Sequence, residues 1–130
     1  MVPPETRTDP GEEILVLSEP IDRVALLRIV QNTFGDMAKY VVDVERDLIA
    51  IGGQLQADAE QELLDRGSSQ PDLWGANYYP GRGRDGCIEF TALINVRPAQ
   101  GNAGMEVQDE GLRQRIRTLT FRLIGEGGAL

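Results

Sequence analysis

The stretch Ala38-Lys39-Tyr40-Val41-Val42-Asp43-Val44-Glu45-Arg46-Asp47-Leu48-Ile49-Ala50-Ile51-Gly52-Gly53 decides the fold. From Ala38 to Glu45 the pattern has a period of two: Tyr40, Val42 and Val44 face one side, and Lys39, Val41, Asp43 and Glu45 face the other. That period is the mark of a half-buried strand. Arg46 and Asp47 form a tight turn, Leu48 to Ile51 resume an apolar run, and Gly52-Gly53 close it. The stretch therefore predicts a β-hairpin, and an antiparallel sheet with one apolar face needs helices to cover it.

Working outward, the residues before the hairpin supply a strand and a helix. Ile14 to Leu17 is a short apolar run ended by Ser18, Glu19 and Pro20. Asp22 is a plausible N-cap for a helix carrying Val24, Leu27, Ile29, Val30 and Phe34, with Gly35 as its stop. After the hairpin, Asp58 looks like the cap of a second helix anchored by Leu63 and Leu64 and stopped by Gly67. Leu73 to Tyr79 and Cys87 to Val96 predict a second hairpin, the longer strand having Ile88, Phe90, Ala92, Ile94 and Val96 on its apolar face. Leu112, Ile116, Leu119, Leu123 and Ile124 mark a last amphipathic helix. The expected fold is α+β: a two-layer sandwich of mainly antiparallel sheet with three helices on one face, in the order βαββαββα. Residues 1–12, rich in Pro, Asp, Glu and Thr, read as a flexible N-terminal arm, residues 13–125 as one domain, and 126–130 as a flexible C-terminal tail.

Composition sets bounds on function. In 130 residues there is room for one domain, and no apolar run approaches the roughly 20 residues of a membrane span. The N-terminus lacks the apolar core of a secretory signal, and the single Cys87 excludes an internal disulfide, so the setting expected is the cytoplasm. A net charge of -8 disfavours nucleic acid as a partner. There is no histidine, which removes His-based triads, Cys-His dyads and the usual zinc sites; no metal and no cofactor is expected.

The richest candidate chemistry lies after the second hairpin. Arg97 offers a planar fork of donors suited to a carboxylate or phosphate, Pro98 stiffens the strand exit, and Asn95, Gln100 and Asn102 add neutral hydrogen bonds. Asn77, Glu89 and Asp43 extend this candidate site over the polar sheet face, where clustered carboxylates suit acid–base work. The bland alternative pairs Arg97 with Glu89 or Asp43 and lets Asn95 and Asn102 satisfy loop backbone. Trp74, Tyr78 and Tyr79 suit either a pocket or the core edge. The function read from these residues is a small binding domain for an anion or small molecule. A small carboxylate-based enzyme and a homodimeric interaction protein are the alternatives, so whether the chain is an enzyme stays open.

The combination Phe34-Gly35-Asp36, Ala50-Ile51-Gly52-Gly53, Asp72-Leu73-Trp74-Gly75, Tyr79-Pro80 and Ile94-Asn95-Val96-Arg97-Pro98 resembles a group of small prokaryotic proteins described only as a domain of unknown function. The resemblance spans roughly Ile14 to Ile124 and implies a self-contained domain, but no activity. Such proteins often carry a histidine near the position of Gln56, so a mechanism using it as base or ligand is not open to this chain.

Overall fold

The computed structural model describes residues 9–130, and the arm expected over 1–12 lies outside the described residues for its first eight positions. Five strands and three helices follow in the order β1 (Ile14–Leu17), α1 (Arg23–Asn32), β2 (Ala38–Asp43), β3 (Leu48–Gly52), α2 (Gln56–Asp65), β4 (Leu73–Tyr78), β5 (Ile88–Glu89) and α3 (Glu110–Leu123), with short 3-10 turns between some of them. The strands form one antiparallel sheet in the spatial order β1-β3-β2-β4-β5. The α+β class and the antiparallel hairpin of β2 and β3 are those the sequence predicts.

Local chemistry explains the element ends. The Asp22 carboxylate accepts from Ala25 N–H at 3.2 Å, and Asp109 caps α3 in the same way through Leu112 N–H at 2.7 Å. At the far end of α1, Gly35 sits at φ +84° and its N–H returns to Val30 O at 2.8 Å, closing the helix as a left-handed residue does. Helix α2 begins earlier than expected: Leu55, not Asp58, holds the N-cap position and makes no side-chain cap, while Asp58 lies inside the first turn. There its charge suits the positive helix end.

The helices do not share one face. On one side α1 and α3 bury Leu26, Ile29, Val30, Ile116, Leu119 and Leu123 with Tyr40, Val42, Ile49 and Ile51 of the sheet. On the other, α2 packs Ala59 and Leu63 against Val41, Ala50 and Leu73. The expected two-layer sandwich with three helices on one face is thus a three-layer arrangement, and topology gives the reason. The β1-α1-β2 and β3-α2-β4 connections each join parallel strands across an intervening one, they move in the same direction across the sheet, and their strands run oppositely. Right-handed crossovers then require helices on opposite faces. Both faces of β2 and β4 are accordingly buried.

The second departure is in the segment after Cys87. Only Ile88 and Glu89 pair as a strand; Leu93–Asn95 and Pro98–Gln100 are 3-10 turns. Alternation predicts Val96 inside and Asn95 and Arg97 outside, yet Val96 is exposed while Asn95 and Arg97 are buried. Gly75 shows why the chain leaves the sheet plane. A Cβ there would stand 2.5 Å from Ala92 Cβ and 3.2 Å from both Gln56 Cγ and Ile94 Cγ1, so the bare glycine makes room for this segment to cross the α2 side.

The residues after Gly125 are also seated. Gly127 N–H donates to the Tyr78 hydroxyl at 2.9 Å, and Gly127 O accepts from Gly81 and Gly83 at 3.0 and 2.9 Å. Gly127 is buried at φ +84°, and a Cβ there would meet Gly83 O at 2.3 Å. The Arg84–Glu126 ion pair closes the same contact. Cys87 beneath it is a buried free thiol whose pKa burial pushes up, the setting of a small packing residue.

Candidate binding site

Two polar assemblies lie along β4, one at its edge beyond β5 and one on the α2 side of the sheet, and they differ in what remains unused. The first contains four of the sequence candidates. Asn95 stands where a longer β5 would have paired with β4: its Oδ1 accepts from Gly75 N–H at 2.8 Å and its Nδ2 donates to Gly75 O at 2.9 Å. One side-chain amide thus replaces a strand's backbone. Asn102 then donates to Asn95 O, Gly104 O and Glu106 O at 2.8, 3.0 and 3.0 Å and accepts from Gln108 N–H at 2.9 Å. Its backbone pairs with that of Arg97 in both directions.

Arg97 faces inward. Nε donates to Ile94 O at 3.0 Å, Nη1 to Gln70 O at 3.1 Å and to Gln100 Oε1 at 3.3 Å, and Nη2 to Leu73 O. The guanidinium lies over the Trp74 ring, 4.3 Å from its centroid. Gln100 Nε2 ties down Pro71 O at 3.0 Å. The carboxylate partners considered for Arg97, Glu89 and Asp43, form no ion pair with it. Its charge is compensated by carbonyl dipoles and a ring face instead, a role that a planar donor fork fills and an ammonium does not. Burial pushes its pKa down, with Glu60 acting in the opposite direction.

Asp43 is remote from Glu89. It is buried at the opposite end of the face, accepting from Glu45 N–H, Arg46 N–H and Ser68 Oγ at 3.0, 2.9 and 2.6 Å, and so it builds the β2–β3 turn. Asp43 pairs with Leu73 and Glu89 with Asn77, four residues apart along β4, which is about 13 Å of strand. The expected cluster of Asp43 with Glu89 is therefore not formed. Among the described residues, no three His, Cys, Asp or Glu side chains gather closely enough to hold a metal ion.

The second assembly contains Asn77 and Glu89 together with residues the sequence reading had not assigned to a site. Lys39, Asn77 and Glu89 are direct cross-strand partners on β2, β4 and β5. Gln56, first residue of α2, bridges the first two. Lys39 Nζ donates to Gln56 Oε1 at 3.3 Å, Gln56 Nε2 to Asn77 Oδ1 at 2.7 Å, and Asn77 Nδ2 to Glu89 Oε1 at 2.6 Å. The Tyr79 hydroxyl also donates to Glu89 Oε1 at 3.4 Å. Gln56 and Asn77 are buried, Lys39 is half-buried and Glu89 is exposed.

Aromatic rings flank both ends of this row. Lys39 Nζ lies 5.4 Å from the Phe34 centroid, and the Arg82 guanidinium lies 3.8 Å from that of Tyr79. Burial, and then the Glu89 charge, raise the Tyr79 pKa. Beside Phe34 opens a cleft of about 610 Å³ lined also by Ile14, Gln54, Leu55 and Asp58, with Phe34 and Leu55 both exposed. Lys39 is the chain's only lysine, and among the described residues no carboxylate lies within 4.0 Å of it. The signal for it was its place beside Val41 and Asp43 in the period-two pattern. What the pattern could not supply was the neighbour, since β4 reaches β2 only through the crossover.

Fold and geometry together define a small α+β domain, helices on both faces of a five-stranded antiparallel sheet, with a polar row whose Lys39 end lies over Phe34, a residue that lines the cleft. The chain belongs to the DUF5674 family, proteins of unknown function, whose model matches residues 15–123. No curated protein and no solved structure matches it. Among the described residues, no helix is long and apolar enough to cross a membrane.

Proposed function

We propose that this chain is a binding domain for a small charged molecule, held on the open part of the α2-side sheet face with Lys39 as its anion contact. One observation carries the reading: the row from Lys39 to Glu89 buries its two amides and leaves its charged ends toward solvent. Buried polar groups are kept when they are fully satisfied, and an ammonium with unused donors beside an aromatic ring and a cleft is ready to accept an oxyanion. Arg97, Asn95, Asn102 and Gln100 support this site from below by fixing β4 and the turns around it. A reducing prokaryotic cytoplasm is the setting we infer, from one buried thiol and the resemblance noted above.

A thermal-shift screen with small carboxylates, phosphates and amino compounds tests the proposal, because a ligand that binds only the folded state raises its apparent stability. At least one compound is expected to raise the midpoint of the native chain and not that of Lys39→Gln. A screen without hits, or hits that survive both Lys39→Gln and Glu89→Gln, would overturn it.

A further inference from the structure

We propose, resting on the binding reading just given, that the ligand carries a negative and a positive group about 10 Å apart, the class of a short unblocked peptide. The argument starts from donors and acceptors. A lysine ammonium only donates, so the side-chain oxygen of Gln56 must face it. Gln56 then presents its NH₂ to Asn77, whose oxygen must accept; Asn77 in turn presents its NH₂ to Glu89, which as a carboxylate only accepts. The two charges fix both amide orientations, and the row has one direction, from cation to anion.

The inner amides are buried and have no donor left for a ligand. Gln56 Nε2 also reaches Ala76 O at 3.4 Å, and Asn77 Nδ2 reaches Thr91 O at 3.5 Å. Recognition is confined to the ends. At one end Lys39 has two further N–H donors after its bond to Gln56; at the other, Glu89 Oε2 makes no hydrogen bond among the described residues. Arg82, the nearest guanidinium on the Tyr79 ring, forms no ion pair with Glu89. Lys39 and Glu89 stand on strands separated only by β4, so their backbones lie two inter-strand spacings or about 10 Å apart, and as cross-strand partners of Asn77 their side chains leave the same face. Three extended residues span the same length, so a tripeptide places its carboxylate on Lys39 and its amine on Glu89.

Isothermal titration of the full chain with trialanine, N-acetyl-trialanine and trialanine amide tests this, with 8-aminooctanoate, octanoate and octylamine as a side-chain-free series. Both two-ended compounds are expected to bind, and blocking or removing either end is expected to weaken binding at least tenfold. Lys39→Gln should make trialanine and its amide equal; Glu89→Gln should do the same for trialanine and its acetyl form. Unchanged urea midpoints certify that both variants are folded. One-ended and two-ended compounds binding alike, with the affinity lost in Lys39→Gln, overturns the two-ended ligand and leaves the binding domain standing. Failure of every compound at millimolar concentration, while the metabolite screen returns a singly charged ligand, overturns it as well. Failure of both the series and the screen overturns both readings.

Discussion

The loop around Arg97 and the row from Lys39 to Glu89 are both polar, both touch β4, and both contain buried amides, yet they spend their hydrogen bonds differently. In the Arg97 loop the side chains meet backbone: Asn95 replaces a strand partner for Gly75, Asn102 binds three carbonyls, and Arg97 binds the carbonyls of two segments. Nothing chemically active is left over. In the row the short bonds run from side chain to side chain, with only long contacts to the Ala76 and Thr91 carbonyls, and the series ends on two opposite charges toward solvent. Buried polar groups that answer backbone hold a fold together; a polar series with charged ends keeps capacity for another molecule.

The largest effect that would sharpen this contrast is expected at Asn95. Replacing it with Leu strips Gly75 N–H and C=O of their partners in a buried setting, at about 1 to 3 kcal/mol for each group left unpaired, and leaves Met105 O with the Ala92 N–H alone. Asn95→Leu should therefore cost about 3 to 5 kcal/mol in a urea titration, near the top of what single substitutions do. A loss under about 1 kcal/mol would mean the loop does not hold β4.

Next comes Arg97→Lys. If Arg97 were the anion-binding fork that the sequence suggests, this change would leave folding intact and weaken an anionic ligand. With the guanidinium spread over carbonyls and the Trp74 ring, the expected outcome is instead a stability loss of about 1 to 3 kcal/mol, the same with and without ligand. Equal midpoints and a weakened ligand would move the site back to this loop.

The direction of the row can be tested by reversing it. Gln56→Glu sets a carboxylate against Asn77 Oδ1, and turning the Asn77 amide only transfers the conflict to Glu89. A cost of about 1 to 2 kcal/mol is expected, and adding Glu89→Gln should recover about 1 kcal/mol of it, since the new amide can donate to a turned Asn77. Strict additivity in this double-mutant cycle would show that the two ends are not coupled.

Much of the fold was legible because period and punctuation are local. The β2–β3 hairpin, the Asp22 cap and the Gly35 stop follow from neighbours in the chain. The placement of α2 was not, because it depends on crossover handedness over a strand order that no single segment reveals. The alternation from Cys87 to Val96 misled for a related reason. Period two describes a strand only while a partner continues beside it, and Asn95 takes the place of that partner. Asn77 and Glu89 were found as candidates, whereas Gln56 and Lys39 could join them only once β4 lay beside β2.

The smallest expected stability effect is also the most direct test of the account. Lys39→Gln removes a charge that has no carboxylate partner among the described residues and leaves a neutral amide, one bond shorter, on the side of Gln56. The account predicts a urea midpoint within about 0.5 kcal/mol of the native chain, the usual range for such a surface change, and loss of the thermal shift that ligand hits give the native chain. A midpoint lowered by several kcal/mol with the ligand shift intact would contradict it, placing Lys39 among the residues that hold the fold rather than those that bind.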